Sequence, residues 1–597
     1  MSVPVTDCDV VIVGSGPGGA TVAEVLTAAG WSVVILEKGR NHLLDLAPPH
    51  EPLRHFANDE VGVHRRHLLG PDPLLEPRTY RRNEADGERL VVGEVNNLPS
   101  TVGGGGVHAD AKLPRFREED FHLRSARGPV DDAAVEDWPV QYDELEPHYA
   151  AVETAFGVAG EVGTNPYAAP RRGPFPMPPG ADMPMALVSA AAAERAGLHP
   201  YRAPTGVNSV AYDGRAACVD CGFCGGYGCP VHAKGDPIAS LQRALRSGRA
   251  EVRPEALVTS VVLDAAGRRA TGVRYLDLSV HPDPPVREVR AARAVVLAAG
   301  AFETPRLLLR TGLGGDLVGR FLTYHFQTFT IGIFPEATGG ERGRSVTHLH
   351  DDLMVDTPAL RAAARAAGLP WVRGGTVEHG SGPGPVEEAG TYPAGAAHTA
   401  AMTDSGLRRR LWVFTMQGED LPQAGNRVDL DPSVRDAWGF PAGRVTYAPH
   451  RHELVASDHA GPLHEAVMTD AGAQVAFTAT SPPQGDLDLH AVANPLGIAP
   501  ASRHVMGTAR MGSDPATSVV SAEQRLWDVD NVLVCDSSVF VTSAGYNPTL
   551  TLAALAHRAA SLLSGTPVEL GGVGDRNRAP TPPSSVRTGT RSAGSPP

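Results

Sequence analysis

Three stretches of the chain carry residue types at spacings that can do chemistry. The first is Gly14-Ser-Gly-Pro-Gly-Gly19, preceded by an apolar run and followed by a small-residue run and then by Glu37. Gly14, Gly16 and Gly19 permit a tight turn, close backbone approach to a pyrophosphate and close helix–strand packing. The helix N-terminus adds free amides and a positive dipole end. Glu37, at the end of a second strand, is placed to hold an adenosine ribose. Together these features predict a dinucleotide site without distinguishing FAD from NAD. The second stretch is Cys218-x2-Cys221-x2-Cys224-x4-Cys229-Pro230 with Lys234 behind it, threaded with Gly222, Gly225, Gly226 and Gly228. Closely spaced thiolates suit an iron–sulfur centre or zinc, while the same pairs suit a disulfide or a loop of reduced thiols, and the spacing does not choose among them. The third is His504-Val-Met-Gly-Thr-Ala-Arg-Met-Gly512, followed by Val532–Cys535, Asp536 and Tyr546-Asn-Pro-Thr-Leu-Thr551. Here Asn547 is predicted to cap a helix with Pro548 at its first position and Gly565 at its end. With 23 histidines in the chain, most must be surface or satisfied core residues, and only the surrounding motif singles out His504.

The elements that must position these residues follow from periodicity. Asp9–Val13 and Ser32–Leu36 read as strands around a helix over Ala20–Ala29, a βαβ unit. Asn41–Arg89, rich in Pro, His and charge, reads as an irregular excursion; a second glycine loop follows at Thr101–Gly106, then His108 and a helix over Tyr142–Phe156. Ala256–Tyr275 reads as two strands about Gly267, Ala294–Ala299 as a buried strand, and Thr304–Arg310 as a helix. From Gly319 to Pro495 strands alternate with long polar loops, and the stretch from Thr566 onward has the composition of a disordered tail. At 597 residues, 42% hydrophobic and 20% charged, the chain is a multi-domain globular protein. Its net charge of −14 and scattered arginines exclude a nucleic-acid binder, and its three lysines, Lys38, Lys112 and Lys234, suggest no patch. No apolar run reaches the length of a membrane span, and Met1–Cys8 lacks the build of a signal peptide, so the expected location is cytoplasmic.

Taken together, Gly14–Gly19 with Glu37, Val102-Gly-Gly104, Leu297-Ala-Ala-Gly-Ala-Phe-Glu-Thr-Pro305, His504–Gly512 and Asn547-Pro-Thr549 resemble the glucose-methanol-choline (GMC) oxidoreductases across nearly the whole chain. The resemblance implies FAD rather than NAD. It also implies an α/β architecture in which a doubly wound, Rossmann-like FAD-binding domain is paired with an antiparallel-sheet substrate domain, as in p-hydroxybenzoate hydroxylase. On that pattern the FAD-binding domain comprises residues 1–155, 205–318 and 496–565, with a linker and substrate-domain part at 156–204, the main substrate domain at 319–495 and a tail at 566–597. By the same resemblance His504 is the catalytic base for a CH–OH group and Asn547 its polar partner. Val102, Gly103, Gly104, Val258, Ala299, Gly300, Asp536, Pro548 and Thr549 surround the flavin. His108 falls where some sugar-oxidising members carry a histidine bonded to the flavin, but Ala109 stands where they carry Trp, so covalent and noncovalent attachment both stay open.

The cysteine stretch, with Asp137-Trp-Pro139, Tyr142-Asp143 and Gly418–Pro422, resembles the gluconate 2-dehydrogenase-like flavoprotein subgroup, some of whose members bind an iron–sulfur cluster there. Members that feed a membrane cytochrome are exported with a twin-arginine leader, which this sequence lacks. The expectation is therefore an alcohol, polyol or sugar substrate and oxygen or a soluble electron acceptor. Two other readings stand beside it: a lyase holding FAD structurally, and an electron-transfer subunit with a metallated cysteine cluster.

Overall fold

The computed structural model describes residues 5–52, 72–86, 91–93, 95, 98–226, 228–340, 342–344, 346–381, 394–404, 406–482 and 499–565; the tail expected from 566 and much of the 41–89 segment lie outside these residues. Seventeen strands among them, β1–β17 in chain order, form three sheets. In the first, β6 (Ala250–Arg253), β2 (Val33–Leu36), β1 (Val5–Val13), β9 (Val286–Leu297) and β17 (Val532–Val534) run parallel in that order. The long strand β9 shares one edge between two neighbours: β17 pairs with its end, and β8 (Ala270–Asp277) pairs antiparallel with its start, carrying β7 (Ala256–Leu263) beyond it.

The unbroken apolar runs at Val10–Val13 and Ala294–Leu297 have a direct cause, because both faces of this sheet are covered. Val11, Val13, Val295 and Leu297 enter one core, and Val10, Ile12, Ala294 and Val296 enter the other. Helix α1 (Pro17–Ala28) and helix α3 (Pro237–Arg246) cover the second face through Val22, Val25, Leu26, Leu241 and Leu245. Helix α2 (Tyr142–Phe156) covers the first with an aromatic cluster of Phe116, Phe121, Trp138 and Phe540. Helix α6 (Thr549–Ser564) is apolar nearly all round because it belongs to both cores: Leu550, Ala553 and Ala554 face one, and Ala556, Ala559 and Ala560 the other. Gly565, at φ 66°, ends it in the left-handed conformation.

Close packing at the C-terminal ends of the parallel strands yields a stability prediction. A Cβ on Gly18, in the first turn of α1, would lie 1.8 Å from the carbonyl oxygen of Cys535, whereas one on Gly16 meets nothing within 4 Å. Since backbone stands against backbone, Gly18→Ala is expected to cost about 1–3 kcal/mol or more, as overpacking does. Thermal melts should show a lowered midpoint for Gly18→Ala and a nearly unchanged one for Gly16→Ala.

The second sheet is antiparallel, in the order β16 (Val475–Ser481), β10 (Phe326–Ile333), β13 (Leu411–Gly418), β12 (Val377–Ser381), β11 (Val346–His350) and β5 (Tyr201–Arg202). Helix α5 (Arg451–Asp470) packs on one face, with Thr328 Oγ1 donating to Ser457 Oγ at 2.9 Å. Between it and the sheet the fully buried imidazole of His350 meets His379, Phe414 and His464, the last from the helix itself, edge-on, and His464 meets Phe414 the same way. Burial lowers all of their pKa values, that of His464 to about 3, and it does the same to His452 nearby. An unfolded histidine titrates near 6.5, so below that pH the unfolded chain binds more protons than the folded one. Their contribution is therefore complete above about pH 6.5 and is lost progressively as pH falls toward 3. At pH 5 His452 and His464 are each expected to have lost about 2 kcal/mol, so the urea midpoint should drop steeply between pH 7 and 5.

The third sheet orders β14 (Arg427–Arg435), β15 (Pro441–Thr446), β3 (Arg78–Arg81) and β4 (Val91–Gly93). Strand β3 corrects the reading of 41–89 as wholly irregular. Its sequence, Arg-Thr-Tyr-Arg, has no apolar alternation, yet all four residues are buried because polar partners meet them: Arg78 faces Glu303, Thr79 donates to Asp431, and Arg81 donates to Thr446. Helix α4 (Gly300–Thr311) begins four residues before the expected Thr304, directly after β9. No helix among the described residues is long and apolar enough to cross a membrane.

Candidate functional site

The C-terminal ends of four parallel strands open into one cavity of about 730 Å³. Strand β1 delivers Gly14–Gly18, β2 delivers Glu37 and Lys38, β9 delivers Ala298–Gly300, and β17 delivers Asp536. Such strand ends are where open α/β sheets bind ligands. Val258, Gly104, His108, His504, Asn547, Pro548 and Thr549 line the same cavity. Val102 and Gly103 are not on its wall; Val102 is buried beneath it, and Gly103 ties the two glycine loops together.

That tie is built from side chains. Glu37 Oε2 accepts from the Ser15 amide at 3.0 Å and the Ser15 hydroxyl at 2.6 Å, and Oε1 accepts from the Gly39 amide at 2.9 Å. Ser15 Oγ in turn accepts from the Gly103 amide at 2.9 Å. Gly104, at φ 54°, brings the second loop so close that a Cβ there would stand 3.0 Å from Gly16 Cα. Asp536 performs a similar office at the other strand ends: Oδ2 accepts from the Gly300 amide at 2.9 Å and Thr304 Oγ1 at 2.6 Å. The N-terminus of α1 carries no side-chain cap, which leaves its first amides to an anion. Open space at Gly16, free amides and an acidic residue at the end of β2 fit a dinucleotide such as FAD.

Beyond this cradle the cavity meets the antiparallel sheet. Lys112 Nζ, buried, contacts Glu378 Oε2 at 2.5 Å and Asp110 Oδ2 at 3.0 Å. Burial pulls its pKa down, but the two carboxylates outweigh it and the net shift is upward. Glu378 Oε1, on β12, accepts from Gln417 Nε2 and from Asn547 Nδ2, each at 3.1 Å, and Gln417 Oε1 accepts from Gln327 Nε2 at 3.1 Å. Asn547 departs from the sequence reading. The cap of α6 is Pro548, with no side-chain capping bond, because Asn547 gives its amide to Glu378 instead. Its Oδ1 is buried without a partner among the described residues, so the helix cap does not account for this side chain.

His504 lines the cavity, and burial, assisted by the neighbouring His325, holds its pKa well below the usual range; it is a neutral imidazole. His504 Nδ1 lies 2.8 Å from Nδ1 of His325. His108 is likewise kept neutral, with its pKa lowered to about 3 by burial and by Lys234; Nδ1 stands 3.3 Å from the Gly226 carbonyl and Nε2 has no partner.

The four clustered cysteines are all free and partly exposed. Among the described residues no three His, Cys, Asp or Glu side chains are gathered as a metal would require. Burial raises the Cys224 thiol to about 12, so in this arrangement it is protonated. The loop as arranged does not fit an iron–sulfur cluster or zinc, and no disulfide closes it. What holds it is Lys234, which donates to the carbonyls of Val107, Ala109 and Cys224, and the pairing of Gly226 with His108. All three lysines prove to surround the site: Lys38 and Lys112 line the cavity, and Lys234 braces the backbone on either side of His108. Their rarity is a mark the sequence offered and scattering concealed: each of the three meets a buried carboxylate or a cluster of carbonyls. Ser15, His325, Glu378 and Gln417 carried no such mark.

Comparison with known proteins accords with this geometry. The family model described as GMC oxidoreductase matches in two parts, residues 182–327 and 422–556, and an FAD binding domain matches residues 7–45. The chain is 30% identical to the gluconate 2-dehydrogenase flavoprotein of Pantoea cypripedii over 93% of each chain. It is 28% identical to the 2-methyl-1,2-propanediol dehydrogenase of Mycolicibacterium austroafricanum, over 94% of this chain and 96% of the other. A formate oxidase structure from Aspergillus oryzae shares the fold, with a TM-score of 0.62 at 14% identity, covering 94% of this chain and 98% of that one. Both parts of the family model, an FAD binding domain over the first glycine loop and a 30% identical relative along nearly its whole length place the chain in the GMC oxidoreductase family as an FAD-dependent oxidoreductase.

Proposed function

We propose that the chain oxidises a CH–OH group of a polyol, sugar or related alcohol to a carbonyl, with His504 as the base and Asn547 orienting the substrate oxygen. The observation that carries this reading is the meeting, in one cavity, of the dinucleotide cradle with a neutral imidazole and an amide whose Oδ1 lacks a partner. FAD, when bound, supplies the two-electron acceptor for the carbinol hydride. The hydroxyl proton goes to the neutral imidazole of His504, which must leave the oxygen uncharged as the carbonyl forms. Asn547, its Nδ2 held by Glu378, presents Oδ1 to a hydroxyl. The uncapped N-terminus of α6 lines the cavity, and its amides and positive dipole end would face a bound cofactor and favour negative charge there. Lys112, Gln327 and Gln417 make the wall opposite polar, in keeping with a hydroxyl-rich substrate.

The Gly14–Gly18 loop and Glu37, Val258, Ala299, Gly300, Asp536, Pro548 and Thr549 would hold the cofactor. His108 faces it without a bond assigned. Oxygen or a soluble acceptor would take the electrons onward. The test is an anaerobic visible spectrum of the purified protein before and after adding sugars, polyols and simple alcohols, then air. Loss of the flavin band at roughly 450 nm with one of them is the expected result, and its return in air marks an oxidase. A bound flavin that no alcohol bleaches would favour a lyase and overturn the proposal.

A further inference from the structure

We propose that His325 is the positioning residue that fixes the tautomer of His504, leaving Nε2 with the lone pair that receives the substrate proton. The proposal rests on the reading of His504 as the base. It begins with the backbone. Thr323 and Met506 exchange both amide–carbonyl bonds at 3.0 Å, an isolated antiparallel bridge. In antiparallel register the residue two beyond one partner opposes the residue two before the other, on the same face, so this bridge sets His325 opposite His504. The rings meet edge to face with centroids 4.9 Å apart.

The direction of each hydrogen bond then follows by elimination. His325 Nε2 lies 3.1 Å from the carbonyl oxygen of Ser543, and a carbonyl only accepts, so Nε2 carries the hydrogen. His325 is fully buried and neutral, with its pKa lowered to about 4 because burial outweighs its hydrogen bonding to the Ser543 carbonyl and to the Gln417 side chain. Its Nδ1 therefore has the lone pair. His504 Nδ1, 2.8 Å away, must donate to it, and the neutral His504 ring is left with Nε2 unprotonated. A ring held this way presents one nitrogen, in one protonation state, to the cavity. In the proton-transfer step the substrate O–H bond breaks, an N–H bond forms at Nε2, and the resulting imidazolium donates a charge-assisted bond through Nδ1 to His325. Because His325 also grips Ser543, four residues before Asn547, the same side chain holds both groups that would bracket the hydroxyl.

The experiment uses FAD-loaded protein labelled with nitrogen-15 in its histidine rings, and His504 is assigned by the signal lost in His504→Gln. The wild-type spectrum is expected to show His504 protonated at Nδ1 and pyridine-like at Nε2. In His325→Phe the His504 signal should become a mixture of tautomers, and the rate of flavin reduction by substrate should fall about 10²- to 10³-fold with flavin content retained, by analogy with the loss of a base's orienting partner. In His325→Asn, whose Oδ1 stands near the place of Nδ1, the rate should return to within about tenfold of wild type. A wild-type His504 protonated at Nε2 overturns the proposal even if the variants do not fold, as does a His325→Phe enzyme that keeps both the tautomer and the rate. If instead the expected tautomer is seen but His504→Ala reduces flavin normally, the reading of His504 as base fails while the tautomer lock stands.

Discussion

Replacing His504 with alanine is expected to slow substrate-driven flavin reduction by about 10²- to 10⁴-fold, the range that a positioned general base contributes, with FAD still bound. The expectation rests on the division of the cavity. On the proposed reading the cofactor would be held from the strand ends through Gly14–Gly18, Glu37 and Asp536, none of which touches His504 by a hydrogen bond. The backbone of His504 is fixed independently by the Thr323–Met506 bridge, so the substitution removes an imidazole without removing its support. Stopped-flow bleaching of the flavin, read beside the flavin-to-protein absorbance ratio, separates the two effects. A variant that binds FAD and reduces it at the wild-type rate would place the proton acceptor elsewhere.

The second large effect is one of stability. Arg373 is completely buried and bridges two equally buried carboxylates, Asp120 at 2.6 Å and Glu419 at closer range still. Burial alone would discharge the guanidinium, but Glu419 and Asp120 outweigh it and its pKa is raised. Arg373→Met keeps most of the volume, takes the counter-charge from Glu419 and leaves Asp120 only the weaker attraction of Arg117. Breaking a buried pair by removing one partner costs about 3–5 kcal/mol, and here two acids lose their partner at once. Glu419 Oε1 also accepts from the Ala544 amide at 3.1 Å, in the loop that leads to Asn547, so the damage should reach the site. Urea denaturation should show a loss of at least that size, and Arg373→Met combined with Asp120→Asn and Glu419→Gln should recover part of it.

The sequence made the cofactor cradle legible because its constraints are local: a turn, a helix start and an acid within one βαβ unit, each with a single physical reason. The parallel core was readable for a similar reason, since strands covered on both faces are apolar without interruption. Strand β3 escaped notice because its burial depends on partners hundreds of residues away, Asp431 and Thr446, that turn Arg-Thr-Tyr-Arg into core. Asn547 looked like a helix cap because Asn before Pro at a helix start is the ordinary signature. Only Glu378, from another sheet, draws its amide away. His325 had no local mark at all, because its meaning arises from the register of a bridge to Met506. Residues whose roles are set by tertiary pairing are the ones that periodicity and motif spacing miss.

The cradle is closed by β17 and α6, more than 500 residues after the loop at Gly14. During synthesis the first βαβ unit leaves the ribosome long before Val532–Val534 can add to β9 or α6 can fill the groove shared by both cores. The long loop closures this topology demands make assembly slow and leave the unpaired edge of β9 exposed meanwhile. The turn at Gly14 therefore stays half a site until the last described strand and helix are in place.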